Sequence, residues 1–346
     1  MRKLNFALGG FFLTIALVAM ASSAQAQSKA PPLGEVEFTL PIDCELGKTC
    51  FIQHYFDVDS SRKGRDYTCG NATYNGHNGV DFRLLSTKDV KRGVAVIAAA
   101  PGKVAGRWRG MMDQFFDPSK HPGFRGRECG NGVVVDHGNR WKTTYCHLRF
   151  RSIRVWAGKQ VERGEILGYV GYTGASQFPH LHFSVRYNEE RLDPFTGMFA
   201  ADGCSKPEIV AKRSLWKAGT FANYSYRTGR ILEAVFAAEP VLNPRDEKGL
   251  SALAKPVSDS PSLVFATRAM HLEAGDRLKL VVEGPGGFHL EQMTDPEEYP
   301  LPAQGASVSQ KRVENSLWTK GLYVGRVAIL RGGKIVDQLK QTFEMK

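Results

Sequence analysis

Short runs in which apolar and polar residues alternate, each closed by glycine, recur along most of the chain. "GVAVIAAAPGKVAGRWRG" (93–110), "NGVVVDHGNRWKTTYCHL" (131–148) and "GEILGYVGYTG" (164–174) are the clearest of the first part. Residues two apart share one face of a strand, so these runs predict half-buried strands and hairpins, with Asp136-His137-Gly138-Asn139 as a turn signal. Helical periodicity is nearly absent between Leu40 and Gly203. From Ser262 the alternation returns in "SLVFATRAM", "DRLKLVVEG" and "GLYVGRVAILRGGKIVDQLKQTFEM", the last a pair of strands turned at Arg331-Gly332-Gly333-Lys334. The expected fold class is mostly β. An antiparallel β-sheet domain covers 40–204, a mixed connecting region covers 205–261, and a small β-sandwich-like C-terminal domain covers 262–346. A length of 346 residues agrees with two domains.

Two stretches break the rhythm. "EPVLNPRDEKGLSALAKPVSDSP" (239–261) reads as a linker. "MMDQFFDPSKHPGFRGREC" (111–129) is long for a hairpin connection and carries Pro118 and Pro122; loops of that length are usually functional or disordered.

The N-terminus has a different pattern. Arg2 and Lys3 precede an apolar core from Leu4 to Met20, and Ala24-Gln25-Ala26 follows as a cleavage site. This is the layout of a signal peptide over 1–26, with 27–39 as an N-terminal lead. No later run reaches the ~20 apolar residues that span a bilayer, so the expectation is an exported protein without stable membrane insertion after cleavage. Cleavage lowers the formal charge of +11 by two. A basic exported chain favours an anionic surface such as cell wall; the export signal and the lack of a concentrated Lys/Arg stripe argue against nucleic acid.

Six cysteines, Cys44, Cys50, Cys69, Cys129, Cys146 and Cys204, are an even count in an exported chain and favour disulfides. With no CxxC pair, a cysteine-zinc ribbon is not expected. Cys44 and Cys50 are close enough to staple a loop, and Cys129 and Cys146 flank a predicted hairpin. That leaves Cys69 with Cys204. The other use of Cys146, as a nucleophile beside His147, fits an oxidising compartment less well.

Candidate chemistry lies in the histidines. His180 and His182 in "FPHLHFSVRY" fall on one face of a predicted strand, and His77 and Asp81 stand four apart in "YNGHNGVDFRL". A catalytic zinc takes three protein ligands from His and Asp/Glu and keeps a fourth position open. His77, Asp81 and one of His180 or His182 supply such a set. His147, in "TTYCHLRF", and the remaining histidine are then free for acid/base work. His54, beside Asp57 and Asp59, offers a short cation-binding cluster but reads first as part of a polar surface loop. His121 and His137 read as loop and turn residues, and His271 and His289 as surface histidines. Trp108, Trp141 and Trp156 are candidates to line a substrate groove, though buried packing is their default role.

On these residues the chain resembles the lysostaphin-type zinc endopeptidases that cut peptide cross-links in bacterial cell walls. The resemblance covers about Tyr74–Pro194. It rests on "GHNGVDF" (76–82), "GNGVVVDHGNRWKTTYCHL" (130–148) and "VERGEILGYVGYTGASQFPHLHF" (161–183), in that order. It implies that His77, Asp81 and His182 bind one zinc per chain and that His147 and His180 are catalytic. It also implies a periplasmic metalloendopeptidase (hydrolase) whose partner is peptidoglycan. Without an H-E-x-x-H glutamate, general-base duty falls to His147. Two positions depart from the pattern: Phe178 stands where glycine is usual, and Ser184 where an acidic residue is frequent. The alternatives are a non-catalytic cell-wall binding or hydrolase-activator protein of the same fold, and a zinc peptidase acting on non-wall peptides.

Overall fold

The computed structural model describes residues 31, 34–117, 124–204, 210, 212–241, 243 and 246–346. The expected signal segment, Pro118, His121 and Pro122 lie outside them. Eleven strands form the first half: β1 (Cys50–His54), β2 (Val80–Leu84), β3 (Ala95–Ile97), β4 (Gly102–Trp108), β5 (Gly132–Gly138), β6 (Trp141–Cys146), β7 (Gln160–Val161), β8 (Ile166–Tyr169), β9 (His180–Tyr187), β10 (Glu190–Asp193) and β11 (Met198–Phe199). The main sheet runs β1-β2-β9-β6-β5-β4-β7, with β10 and β11 continuing from β9, and its pairings are antiparallel. The fold is mostly β.

Period-two alternation explains how this sheet buries one side. Phe82 on β2, Leu181, Phe183 and Val185 on β9 and Tyr145 on β6 are fully buried apolar positions. Phe38 and Trp216 cover Phe183 edge-on and at a tilt. The intervening residues on β2, β9 and β6 point to the opposite face. Asp81 pairs across the ladder with His182, Arg83 with His180, Cys146 with His182, and Thr144 with Ser184. One side of three adjacent strands is therefore core, and the other carries the chemistry.

The β5–β6 hairpin turns two residues later than the sequence predicts. Gly138 already pairs with Trp141, and Asn139 and Arg140 take the two positive-φ positions at 45° and 71°. That is the geometry of a primed two-residue turn. Of the three tryptophans singled out, Trp141 is buried in the core, whereas Trp108 and Trp156 are 51% and 56% exposed.

The C-terminal half contains β12 (Arg230–Ala237), β13 (Ser262–Leu272), β14 (Arg277–Gly284), β15 (Phe288–Met293), β16 (Leu301–Lys311), β17 (Gly321–Arg331) and β18 (Lys334–Met345). They form sheets β12-β13-β16 and β15-β14-β17-β18. Ile231, Phe236, Phe265, Leu278, Leu280 and Val327 pack into the core shared by the two sheets. β12 lies within the mixed stretch 205–261 and pairs along β13. Between β17 and β18, Gly332 and Gly333 turn with φ of 55° and 79°, as a two-residue hairpin requires.

Buried polar groups join the two halves. Arg83 donates to Gln53 Oε1 (2.7 Å) and pairs with Glu247 (2.6 Å), while Arg268, paired with Glu233 at 2.8 Å, donates through Nη2 to the Leu85 carbonyl. Gln53 Nε2 donates to the Pro302 carbonyl at 2.7 Å. His271, expected at the surface, is instead buried, with φ +54°, and its Nε2 donates to the Gln53 carbonyl. A single strand's pattern could not reveal that β13 ends against β1. Burial pushes the His271 imidazole down to about 4.

Stability therefore depends on this residue in acid. Above pH 6.5 the ring is neutral whether the chain is folded or unfolded. Between pH 6.5 and 4 the unfolded chain takes up the proton more readily, so stability falls as pH falls. We expect urea unfolding at pH 4.5 against pH 7 to cost the wild type roughly 2–3 kcal/mol more than His271→Asn, asparagine being tolerant of the left-handed backbone. An identical pH response in the two proteins would refute this assignment.

Three disulfides join Cys44 to Cys50, Cys69 to Cys204, and Cys129 to Cys146. Among the described residues no helix is long and apolar enough to cross a membrane.

Candidate metal centre

His77 lies in the loop entering β2, Asp81 on β2, and His182 opposite it on β9. Asp81 Oδ1 is 3.1 Å from His77 Nε2 and 2.8 Å from His182 Nδ1, and the two ring nitrogens are 3.2 Å apart. One donor atom from each of the three residues lies within 4.8 Å of the others. Gly79 permits this approach. A Cβ there would stand 2.7 Å from the His182 ring and 2.6 Å from the Phe183 carbonyl oxygen, so a larger residue would push the imidazole away.

The donor set fits a metal cation. His77 Nδ1 donates to the Tyr55 carbonyl at 2.6 Å, which leaves the Nε2 lone pair facing Asp81 and His182. Burial opposes charge on His77, yet Asp81, by charge and hydrogen bond, raises its proton affinity above the ordinary value. Asp81 is itself buried, and its four histidine neighbours hold it well below the usual carboxylate range. A positive charge is thus favoured where the three donors meet, and two imidazole nitrogens with one carboxylate oxygen are ligands suited to zinc.

The fourth histidine at Asp81 is one that the sequence assigned to a surface loop. His54 ends β1, pairs in register with Asp81, and its Nδ1 lies 3.0 Å from Asp81 Oδ2. It is a partner of the carboxylate rather than part of a polar surface loop. Its signal is invisible in one dimension, because the contact depends on the register of strands 27 residues apart. Holding the second carboxylate oxygen is how an outer partner orients a metal-binding residue.

His147 and His180 stand on the same face, their ring centroids 4.5 Å apart. His147 follows β6 with φ +62°, a backbone uncommon for a residue with a side chain. Its amide donates to the Cys129 carbonyl at 2.9 Å, and Cys129 is joined covalently to Cys146. His147 Nδ1 donates to the Thr173 carbonyl (2.7 Å) and His180 Nδ1 to the Phe178 carbonyl (2.8 Å). In both rings Nε2 is left as the acceptor. Burial pushes the His180 imidazole down to about 4, and burial with two neighbouring histidines holds His147 well below its ordinary value. Two neutral bases therefore face the metal-ligand cluster at neutral pH.

Two grooves meet at this point. One, of about 880 Å³, runs past Trp108, Arg127, Thr144, Arg186 and Arg191. The other, of about 800 Å³, runs past His54, Phe178, Glu273 and Pro302, so the C-terminal half contributes to its wall. Both reach His147 and His182. Phe178 stacks on His180 at 4.3 Å, with the Arg83 guanidinium 4.9 Å from its ring, and its side chain forms part of the second groove. Of the other histidines, His137 uses both nitrogens, on the Pro101 carbonyl and Thr143, and His289 is exposed. The start of the 111–129 loop is tied down, Asp113 accepting from the Phe150 and Tyr172 amides at 2.9 Å each.

Comparison with known proteins agrees with this geometry. Residues 75–194 match peptidase family M23. An "Uncharacterized metalloprotease" of Haemophilus influenzae is 31% identical over 120 residues, 35% of this chain and 20% of its own. The "DD-carboxypeptidase/endopeptidase Mpg" of Neisseria meningitidis is 41% identical over 73 residues, 20% of this chain and 16% of its own. The "Peptidoglycan DD-endopeptidase ShyB" of Vibrio cholerae is 32% identical over 117 residues, 34% of this chain and 22% of its own. The chain thus spans about a fifth of the length of these relatives. The segment that matches the family, 75–194, holds the metal-ligand cluster and both neutral histidines.

Proposed function

We propose that the protein is an exported, periplasmic zinc endopeptidase that hydrolyses peptide bonds in the stems or cross-links of peptidoglycan. The observation that carries this reading is the meeting of a His-Asp-His donor set with two buried, neutral imidazoles on one face of the sheet. The name of the relative from Vibrio supports peptidoglycan as the substrate class, that of the relative from Neisseria supports endopeptidase chemistry, and three disulfides support an oxidising compartment.

In this reading His77, Asp81 and His182 hold one zinc ion. When bound, zinc supplies Lewis acidity toward the scissile carbonyl and toward water. His147 Nε2 accepts the proton of the attacking water and returns it to the leaving amine. Its ring cannot swing away, because Nδ1 is fixed on Thr173. His180, held by Phe178 and by Ser176 Oγ at 3.2 Å, orients the water or the developing oxyanion.

The test is incubation of the protein with purified peptidoglycan, following metal content and newly released amino termini. About one zinc per chain with new peptide ends, both lost with a chelator and both restored by zinc, is the expected outcome. Zinc at full occupancy with no new ends from either peptidoglycan or its soluble cross-linked peptides would overturn the reading.

A further inference from the structure

The groove beside Trp108 has an unusual floor. Along β9, residues 182, 184 and 186 share one face, and Arg191 on β10 is the direct ladder partner of Arg186. Arg109, Arg127, Arg186 and Arg191 line the groove against a single described carboxylate residue, Glu128. Neither Arg186 nor Arg191 has an ion pair among the described residues. Glu189, which feels the Arg186 charge, is engaged by Lys142. Two like charges therefore stand side by side, and the Arg191 charge also reaches His182.

Two polar atoms in this floor lack partners. Arg186 Nε and Thr144 Oγ1 are buried without a hydrogen bond among the described residues, and Thr144 is only 4% exposed. Buried polar atoms are ordinarily satisfied, so two orphans in one groove, beside paired cations, mark a place for a ligand. Ser184, the ladder partner of Thr144, lies between His182 and Arg186 and brings no negative charge to neutralise them.

We propose that Arg186 and Arg191, with Thr144, form a carboxylate-binding subsite that reads a free acid group on the substrate peptide. The proposal rests on the endopeptidase reading and narrows its substrate to acidic, non-amidated peptides. At ~3.3 Å per residue, position 186 lies about 13 Å along the strand from His182. That spacing sets the acid group a few residues from the scissile bond along an extended peptide. A planar guanidinium pair suits a carboxylate, with bidentate, charge-assisted hydrogen bonds that a carboxamide cannot reproduce.

The test compares a cross-linked stem peptide bearing its free carboxylates with the same peptide converted to carboxamides. Binding is measured by calorimetry to full-length protein silenced by His147→Asn, and turnover is measured with the active protein. The acid form is expected to bind at least tenfold more tightly. In the silenced protein, Arg186→Gln with Arg191→Gln should reduce that preference to within about twofold, leaving affinity for the amide and zinc content unchanged. Ser184→Asp, which sets a carboxylate beside Arg186 on the same face of β9, should weaken the acid form in the same way. Equal affinity for acid and amide, or an equal loss for both on Arg→Gln substitution, would overturn the subsite. An acid preference that disappears with the arginines, while protein with His147 intact cleaves neither peptide, would uphold the subsite and remove the endopeptidase reading.

Discussion

Asp81→Asn is expected to leave a folded protein that no longer retains zinc and no longer cleaves peptidoglycan. Asp81 is the one anion in the ligand set, with Oδ1 facing His77 and His182 and Oδ2 facing His54. Asparagine keeps its size but removes the charge, and one side of its amide would present N–H groups to nitrogens or to the cation. The loss in metal affinity should exceed the about 10–100-fold typical when an outer partner is removed, and His54→Gln is the comparison that sets this lower scale. The fold should persist, because the four histidines around Asp81 can all be neutral once its charge is gone. Metal content after dialysis against a weak chelator, circular dichroism and the peptidoglycan digest together decide it. Full turnover in metal-free Asp81→Asn protein is the result that the reading cannot accommodate.

His147→Asn should do the opposite to the metal and nearly the same to the reaction. Its ring touches no carboxylate of the ligand set, so zinc content should match the wild type. Asparagine tolerates the left-handed backbone that His147 occupies, and its amide can still donate toward the Thr173 carbonyl. Only the Nε2 acceptor is lost. Removal of a positioned general base typically costs 10²–10⁴-fold, and a loss of that order in kcat with KM little changed would locate the effect in the chemical step. A loss confined to KM would make His147 a binding residue, and unchanged kinetics would take it out of the mechanism.

The chemical face of the domain was legible because it sits on strands. Alternation placed His180 and His182 on one side of β9, and four-residue spacing brought His77 beside Asp81. The relations that cross the sheet were not legible. His54 reaches Asp81 only through the β1–β2 register, and Arg191 meets Arg186 only because β10 folds back along β9. His271 looked like a surface histidine because its burial comes from a strand more than 200 residues earlier in the chain. Two of the three tryptophans depart from the default reading in the opposite direction. A large apolar side chain is buried by default, yet Trp108 lies on the rim of a groove, where exposure reflects the cleft rather than the core.

The link between Cys69 and Cys204 spans 135 positions, and the three metal-ligand residues, His147 and His180 all fall between its ends. That part of the chain is covalently a ring. A protease that cuts once anywhere within it, the 111–129 loop included, opens the ring without dividing the molecule. A single nick therefore leaves His77 and Asp81 tethered to His180 and His182, and the two pieces separate only under a reductant.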